Sequence, residues 1–284
     1  RTFRGIFRLF YGVDYRENTL NISIDLLSEC NLNCSYCYNK FEKTYPRFAC
    51  LNRKDLIDIL ETFKKIKYNL VVKILGGEPT LSPFLNFFCT ELYKLKNVSK
   101  VLLVTNGTRI DKILSLESNE KLEINFSVHP YSTNYLSIKK CIDCLVQKNQ
   151  KIVVQLLMDN RFRDVLSSFY KSIKKYEDLG KITVFNEYIF NKNDKLDFVE
   201  PIASEKKRFT DNNIKYTLEE AIDLKFKKCY LTNYRIFADG DIILECKGTY
   251  IGNIKDRNFS VFKIRLVNCK SKCNDDCFLS MKKV

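Results

Sequence analysis

Two rhythms of apolar residues alternate along the chain. Leu20 to Leu27 alternates and then becomes apolar, as a strand does that enters a core. Asn52 is placed to cap a helix over 53–67, where Leu56, Ile59, Leu60, Phe63 and Ile66 recur at helical spacing on one face. Leu70 to Leu75 reads as a short strand, 83–95 as a helix, and Val101 to Val104 as a strand. Leu122 to Val128 is the next strand, followed by helix 133–148, strand 151–158, helix 162–177 and strand 181–187. Residues 5–12 suggest a leading strand or hairpin. Six strands from Leu20 onward with helices between most of them predict an α/β architecture built on a parallel sheet, either open or an incomplete barrel.

The pattern then changes. Asn191 to Asn213 is polar and linker-like, 218–227 reads as a short helix, and 234–246 as a hairpin turning at Asp239-Gly240-Asp241. Asn268 to Cys277 is nearly all polar residues and cysteine, which cannot pack as an apolar unit and calls for a metal. The expected division is an N-terminal strand or hairpin (1–19), a core (20–190), a linker with a helix (191–228) and a small cysteine-rich C-terminal extension (229–284).

Cysteine use shapes the chemistry. The 284 residues hold 12 Cys and a single His, which sets histidine-based metal chemistry aside. Six disulfides are conceivable, but a chain this long needs no staples to bury a core, and the thiols cluster as ligands do. No apolar run reaches the ~18 residues of a membrane span, and the first residues lack a signal-peptide core, so a reducing cytoplasm is expected. The net charge of +14 is dispersed in pairs and triplets such as Lys206-Lys207-Arg208. It reads first as a lysine-rich solvated surface and second as a surface for a polyanionic or acidic-peptide partner.

Chemistry-bearing residues fall at the carboxyl ends of the predicted strands, where parallel α/β folds place their sites. Cys30, Cys34 and Cys37 follow the first strand, Gly76-Gly77-Glu78-Pro79 the second, and Thr105-Asn106-Gly107 the third; Ser127 and His129 end the fourth. Three thiolates can hold three corners of a cubane iron–sulfur cluster and leave one iron open. A zinc site would want a fourth ligand nearby, and Cys50 is the candidate. Asn106 is either a ligand contact or part of a strand-ending turn. His129 beside Pro130 approaches a ligand or stiffens a loop. Cys141 lies on an apolar helical stripe and reads as core, Cys144 flanks that stripe, and Cys50 and Cys89 are most simply core or surface thiols.

Cys30-x3-Cys34-x2-Cys37 with Tyr36 before the third cysteine, followed by Gly76-Gly77-Glu78-Pro79, resembles the radical S-adenosylmethionine (radical SAM) superfamily over about residues 20–190. The resemblance implies a partial (β/α)6 TIM-like barrel and a [4Fe-4S] cluster whose open iron binds SAM. Cys30, Cys34 and Cys37 would be its ligands and Tyr36 would lie against adenine. The Gly76 to Pro79 segment would bind the methionyl amine through backbone groups, with Glu78 as a further candidate. Ser127 would approach the ribose or carboxylate, and the strand around Leu156 would offer adenine backbone contacts. Reductive cleavage of SAM would give a 5′-deoxyadenosyl radical that takes a substrate hydrogen, with flavodoxin or ferredoxin as reductant.

Cys229, Cys246, Cys269, Cys273 and Cys277 resemble the SPASM or twitch auxiliary-cluster extension, although a full SPASM domain has seven cysteines. One auxiliary [4Fe-4S] cluster is expected, with structural zinc as the alternative. A peptide or protein substrate, acidic to suit the charge, ranks first. Only about 20 residues precede the first strand, leaving no room for a leader-binding domain. That keeps open a dehydrogenase or epimerase acting on a sugar or nucleotide. Nucleic acid is not favoured, since no basic module is visible. The non-enzymatic reading is a metal-stabilised sensor or binding protein.

Overall fold

The computed structural model describes residues 19–37, 39, 45–131, 134–188, 202, 228–244, 249–256, 262–263 and 265–268. In chain order the first elements are β1 (Thr19–Asp25), α1 (Arg53–Lys64), β2 (Asn69–Leu75), α2 (Leu85–Lys94) and β3 (Val98–Thr105). Then come α3 (Ile110–Leu114), β4 (Leu122–Val128), α4 (Tyr135–Gln147), β5 (Lys151–Met158), α5 (Arg163–Asp178) and β6 (Ile182–Tyr188). Strands β1 to β6 pair in parallel and in sequential order. A doubly wound sheet reverses its strand order at a switch point, whereas sequential order is that of barrel winding. The expected partial (β/α) barrel is what the chain forms.

One face of the sheet packs against the helices. Leu20, Ile22, Ile24, Leu70, Val72, Ile74, Ile124, Phe126, Val154 and Leu156 join Leu56, Phe63, Phe88, Ile138 and Ile173 in one buried cluster. The other face is polar in part: Ser23, Asp25, Asn125, Ser127 and Gln155 occupy the alternate positions of β1, β4 and β5. Alternation along a strand puts these residues opposite the helical core.

Helix α1 begins as predicted. Asn52 Oδ1 accepts from the Lys54 and Asp55 amides, and Asp55 Oδ2 accepts from the Asn52 amide, a reciprocal capping box. It ends at Lys64, three residues short of the expected 67. Asn97 Nδ2 donates to the Phe63 and Ile66 carbonyls (2.8 and 2.9 Å), closing the chain into a turn that still buries Ile66. Helix α3 carries a single buried residue, Ile113, too little apolar periodicity to be read beforehand.

The C-terminal strands are β7 (Lys228–Leu231), β8 (Asn233–Ile236), β9 (Asp241–Leu244), β10 (Thr249–Asn253) and β11 (Arg265–Asn268). The predicted hairpin is β8–β9, turning through Gly240 at φ 91°. Instead of standing apart, β8 pairs in parallel with β1, so β8, β9 and β10 extend the barrel sheet to nine strands. Strands β7 and β11 form a separate antiparallel pair. The expected leading hairpin at 5–12, the linker 191–213 and the helix 218–227 lie outside the described residues. No helix among the described residues is long and apolar enough to cross a membrane.

Candidate functional site

The cysteine loop leaves the end of β1. Cys30 is exposed, Cys34 buried (8% exposed) and Cys37 half-buried, all three as free thiols. The Cys37 amide donates to the Cys34 carbonyl (3.4 Å), and the Leu32 amide points at Cys30 Sγ (3.4 Å). Although the residue is exposed, the protein atoms around its sulfur desolvate the Cys30 thiol and push it up to about 11, with Glu78, Cys34 and Cys37 adding to the rise. A metal overcomes such a shift by binding the thiolate outright. No three His, Cys, Asp or Glu side chains among the described residues converge as ligands of one ion. A cubane sets no such condition, since each thiolate takes a different iron. The donor set of three thiols on one short loop fits that group.

Gly76 and Gly77 lock β2 onto this loop. The Gly77 amide donates to the Leu27 carbonyl and the Glu78 amide to the Glu29 carbonyl, both at 2.8 Å. A Cβ on Gly77 would lie 1.9 Å from the Glu29 oxygen, and one on Gly76, at φ 131°, 2.3 Å from the Leu27 oxygen. What the glycines admit is therefore the backbone of the cysteine loop itself. The Gly76 carbonyl accepts from Asn39 Nδ2 (3.2 Å), and Asn39 Oδ1 accepts from Arg235 of β8 (3.1 Å). Arg235 in turn pairs with buried Asp25 at 2.9 Å, tying the C-terminal strands to the floor of the site.

Glu78 is bound within the protein. It is 1% exposed, and its carboxylate is filled from within. Oε1 accepts from the Thr80 amide (3.1 Å), Thr80 Oγ1 (2.5 Å) and Thr105 Oγ1 (2.6 Å); Oε2 accepts from the Asn106 amide (2.7 Å). Burial raises its pKa while these four donors pull it down. The side chain splices the end of β2 to the end of β3. Pro79 opens the 3₁₀ turn Pro79–Leu81 at a position that needs no amide.

Asn106 forms the strand-ending turn, one of its two readings, and also reaches the cysteine loop. Its Oδ1 accepts from the Thr108 amide (3.0 Å), forming the strand-ending turn. Its Nδ2 donates to Asn31 Oδ1 (2.9 Å) and approaches Cys30 Sγ (3.7 Å). His129 lies across the loop, with Nδ1 3.3 Å from Cys34 Sγ and 2.8 Å from the Tyr36 hydroxyl. Its ring stacks on Tyr36, which also stacks on Tyr131. Burial pushes the imidazole down to about 4. Outward, Tyr131 meets Phe162 edge-on, and Arg161 lies over both rings while pairing with Asp159.

Ser127 sits on the polar face, its Oγ 3.4 Å from Gln155 Oε1. Asn125 Nδ2 reaches the same oxygen at 3.4 Å. Leu156 is on the opposite face, fully buried in the helical core, so its side chain cannot meet a ligand in the barrel; its neighbour Gln155 faces the barrel instead. Asn125, Gln155, Asn31, Asn39 and Arg235 are not among the residues that the sequence singles out. The signal for Asn125 and Gln155 was present: a polar residue at an alternate position of an otherwise apolar strand.

Cys89 and Cys141 are buried core residues, while Cys50 and Cys144 are exposed. Cys229 lies on β7 opposite Val267 of β11. Cys246, Cys269, Cys273 and Cys277 lie outside the described residues.

The Radical SAM superfamily model matches residues 25–148, the stretch that contains the cysteine loop, Gly76 to Pro79, Asn106 and His129. An S-adenosylmethionine-dependent nucleotide dehydratase of Flammeovirga pacifica is 26% identical over 108 residues, 36% of this chain and 36% of its own. A GTP 3',8-cyclase of Clostridium perfringens is 23% identical over 169 residues, 53% of this chain and 52% of its own. The chain thus spans about half or less of the length of these curated relatives. Among solved structures, native anSMEcpe with bound AdoMet and Cp18Cys peptide superposes with a TM-score of 0.55 at 16% identity, covering 84% of this chain and 78% of that one. Over residues 25–148, somewhat less than half of its length, this chain thus matches the Radical SAM superfamily.

Proposed function

We propose that this chain is a radical SAM enzyme that takes a hydrogen atom from a peptide or protein substrate. The observation that carries the radical SAM reading is the convergence, at the carboxyl ends of β1 to β4, of the three-cysteine loop with Gly76-Gly77 and His129. Cys30, Cys34 and Cys37 would hold a [4Fe-4S] cluster. When bound, that cluster supplies the electron that divides SAM into methionine and a 5′-deoxyadenosyl radical. The chain's own residues do the positioning. Gly76 and Gly77 fix the loop to β2, Glu78 fixes β2 to β3, and Asn106 and His129 steady the thiols from two sides. Tyr36 stacks between His129 and Tyr131 beside the cysteine loop, and Ser127 offers a hydroxyl on the barrel face.

The peptide reading draws support from the +14 charge and from likeness over most of the chain to a protein solved with a peptide bound. A nucleotide is the second reading, supported by the nucleotide chemistry in the names of the curated relatives and by the polar face with Ser127, Asn125 and Gln155. A second, auxiliary [4Fe-4S] cluster is part of the proposal. Cys229 and Cys246 would be ligands, joined by two or three of Cys269, Cys273 and Cys277. The pairing of β7 with β11 supports this, because Cys229 faces Val267, two positions before Cys269 in the chain.

Iron, sulfide and zinc content of anaerobically reconstituted protein tests the metal assignment. About eight irons with matching sulfide are expected for two cubanes; about four irons with one zinc would refute the auxiliary cluster. Fluorescence-monitored titration with an acidic peptide library and with nucleoside triphosphates then separates the substrate readings. Saturable nucleotide binding without peptide binding would overturn the first.

A further inference from the structure

His129 is the only histidine of the chain, and it stands against a cluster cysteine. We propose that His129 donates an Nδ1–H hydrogen bond to the Cys34 sulfur of the loaded cluster and thereby raises the cluster's reduction potential. This rests on the cluster assignment above and adds a role that the three-cysteine motif does not contain.

The geometry leaves little choice of tautomer. Nδ1 faces two groups at once, the Tyr36 hydroxyl at 2.8 Å and Cys34 Sγ at 3.3 Å. As free thiols and hydroxyls, these groups can share protons in more than one arrangement, and Nδ1 can accept. Once Cys34 is a metal-bound thiolate, its sulfur only accepts. An Nδ1 lone pair, even one accepting from the Tyr36 hydroxyl, would then stand within hydrogen-bond distance of an anionic sulfur. Placing the ring proton on Nδ1 converts that repulsion into a charge-assisted N–H···S bond. The assignment holds for the neutral ring and for the imidazolium alike, since both can carry a proton on Nδ1.

The ring is held for this task. It stacks on Tyr36 at 13° with centroids 5.9 Å apart, and it sits at the end of β4, whose ladder with β3 and β5 fixes its height. Cys34 is the most buried of the three loop thiols, so the bond forms where water competes least. A donor to a cluster sulfur stabilises the reduced, more negative state, and hydrogen bonds to cysteine sulfurs are among the levers that set cluster potentials. Asn106 Nδ2, 3.7 Å from Cys30 Sγ, is a longer contact of the same kind on the opposite side of the loop.

The test uses the wild-type chain with histidine labelled with ¹⁵N in the imidazole ring, reconstituted and reduced, without SAM. One histidine makes the label a unique reporter. Pulsed electron paramagnetic resonance should show a ring-¹⁵N coupling to the cluster spin, absent from unlabelled protein. The reduction midpoint should be more negative in His129→Phe, which keeps an aromatic ring on Tyr36 but has no N–H; Tyr36→Phe should keep the coupling. A full cluster signal without ¹⁵N coupling overturns the proposal, even if His129→Phe proves unstable. So does an unchanged midpoint in a fully loaded His129→Phe protein. A chain that takes up no iron and gives no cluster signal overturns the underlying assignment instead, and the proposal with it.

Discussion

Replacing Glu78 separates a structural carboxylate from a ligand-binding one. In Glu78→Ala four donors lose their acceptor: the Thr80 and Asn106 amides and the Thr80 and Thr105 hydroxyls. The hydroxyls can turn to other acceptors, but the two amides are fixed by the backbone. Hydrogen bonds to a charged group contribute about 1.5–3 kcal/mol each, and orphaning part of such a buried set costs about 3–5 kcal/mol in all. Against a total stability of about 5–15 kcal/mol this is a large share. Glu78→Gln is milder, about 1–2 kcal/mol, because its remaining oxygen can serve the Asn106 amide and the rotatable threonine hydroxyls accept from the new NH₂, which leaves only the Thr80 amide without its acceptor. Urea unfolding of the cofactor-free chain measures both, with SAM affinity of each reconstituted variant in parallel. The expected order is wild type, then Gln, then Ala, with SAM affinity falling in the same order as the site loosens. Glu78→Ala within about 0.5 kcal/mol of wild type but binding SAM tenfold more weakly would refute the reasoning; the carboxylate would then face the ligand.

Gly77→Ala forces a Cβ to 1.9 Å from the Glu29 carbonyl oxygen, so the cysteine loop must detach from β2, and iron uptake on reconstitution should fall sharply. Normal iron content in that variant would contradict the close approach. Arg235→Met leaves buried Asp25 without its guanidinium and should cost about 3–5 kcal/mol in urea unfolding; adding Asp25→Leu should recover most of it. Asn52→Ala removes the α1 cap and should lower stability by about 1 kcal/mol while leaving SAM affinity unchanged.

The barrel strands and most helices were legible because their apolar residues repeat with periods of two or of three to four. The end of α1 was not, because it depends on Asn97 reaching back from a position more than thirty residues later. The joining of β8 to β1 was equally hidden: Asn21 faces Asn233 and Ser23 faces Arg235 across a pairing that no local pattern announces. At the site, the motif identified the cysteine loop and Gly76 to Pro79 but not the direction of the Glu78 side chain. A buried carboxylate and a ligand-facing one have the same spelling, and only the donors on β3 decide between them. The backbone role expected of the strand around Leu156 does not depend on its face, and its side chain lies in the helical core. Polar Gln155 in the same strand marked the side that looks into the barrel.

Cleavage of SAM tests the central claim most directly. Anaerobically reconstituted protein is mixed with dithionite and SAM, and 5′-deoxyadenosine and methionine are measured by liquid chromatography. Both should appear together in wild type and vanish in Cys30→Ala, Cys34→Ala and Cys37→Ala, each of which removes one ligand of the proposed cluster. A protein that carries a full, reducible cluster and still forms no 5′-deoxyadenosine would contradict the account.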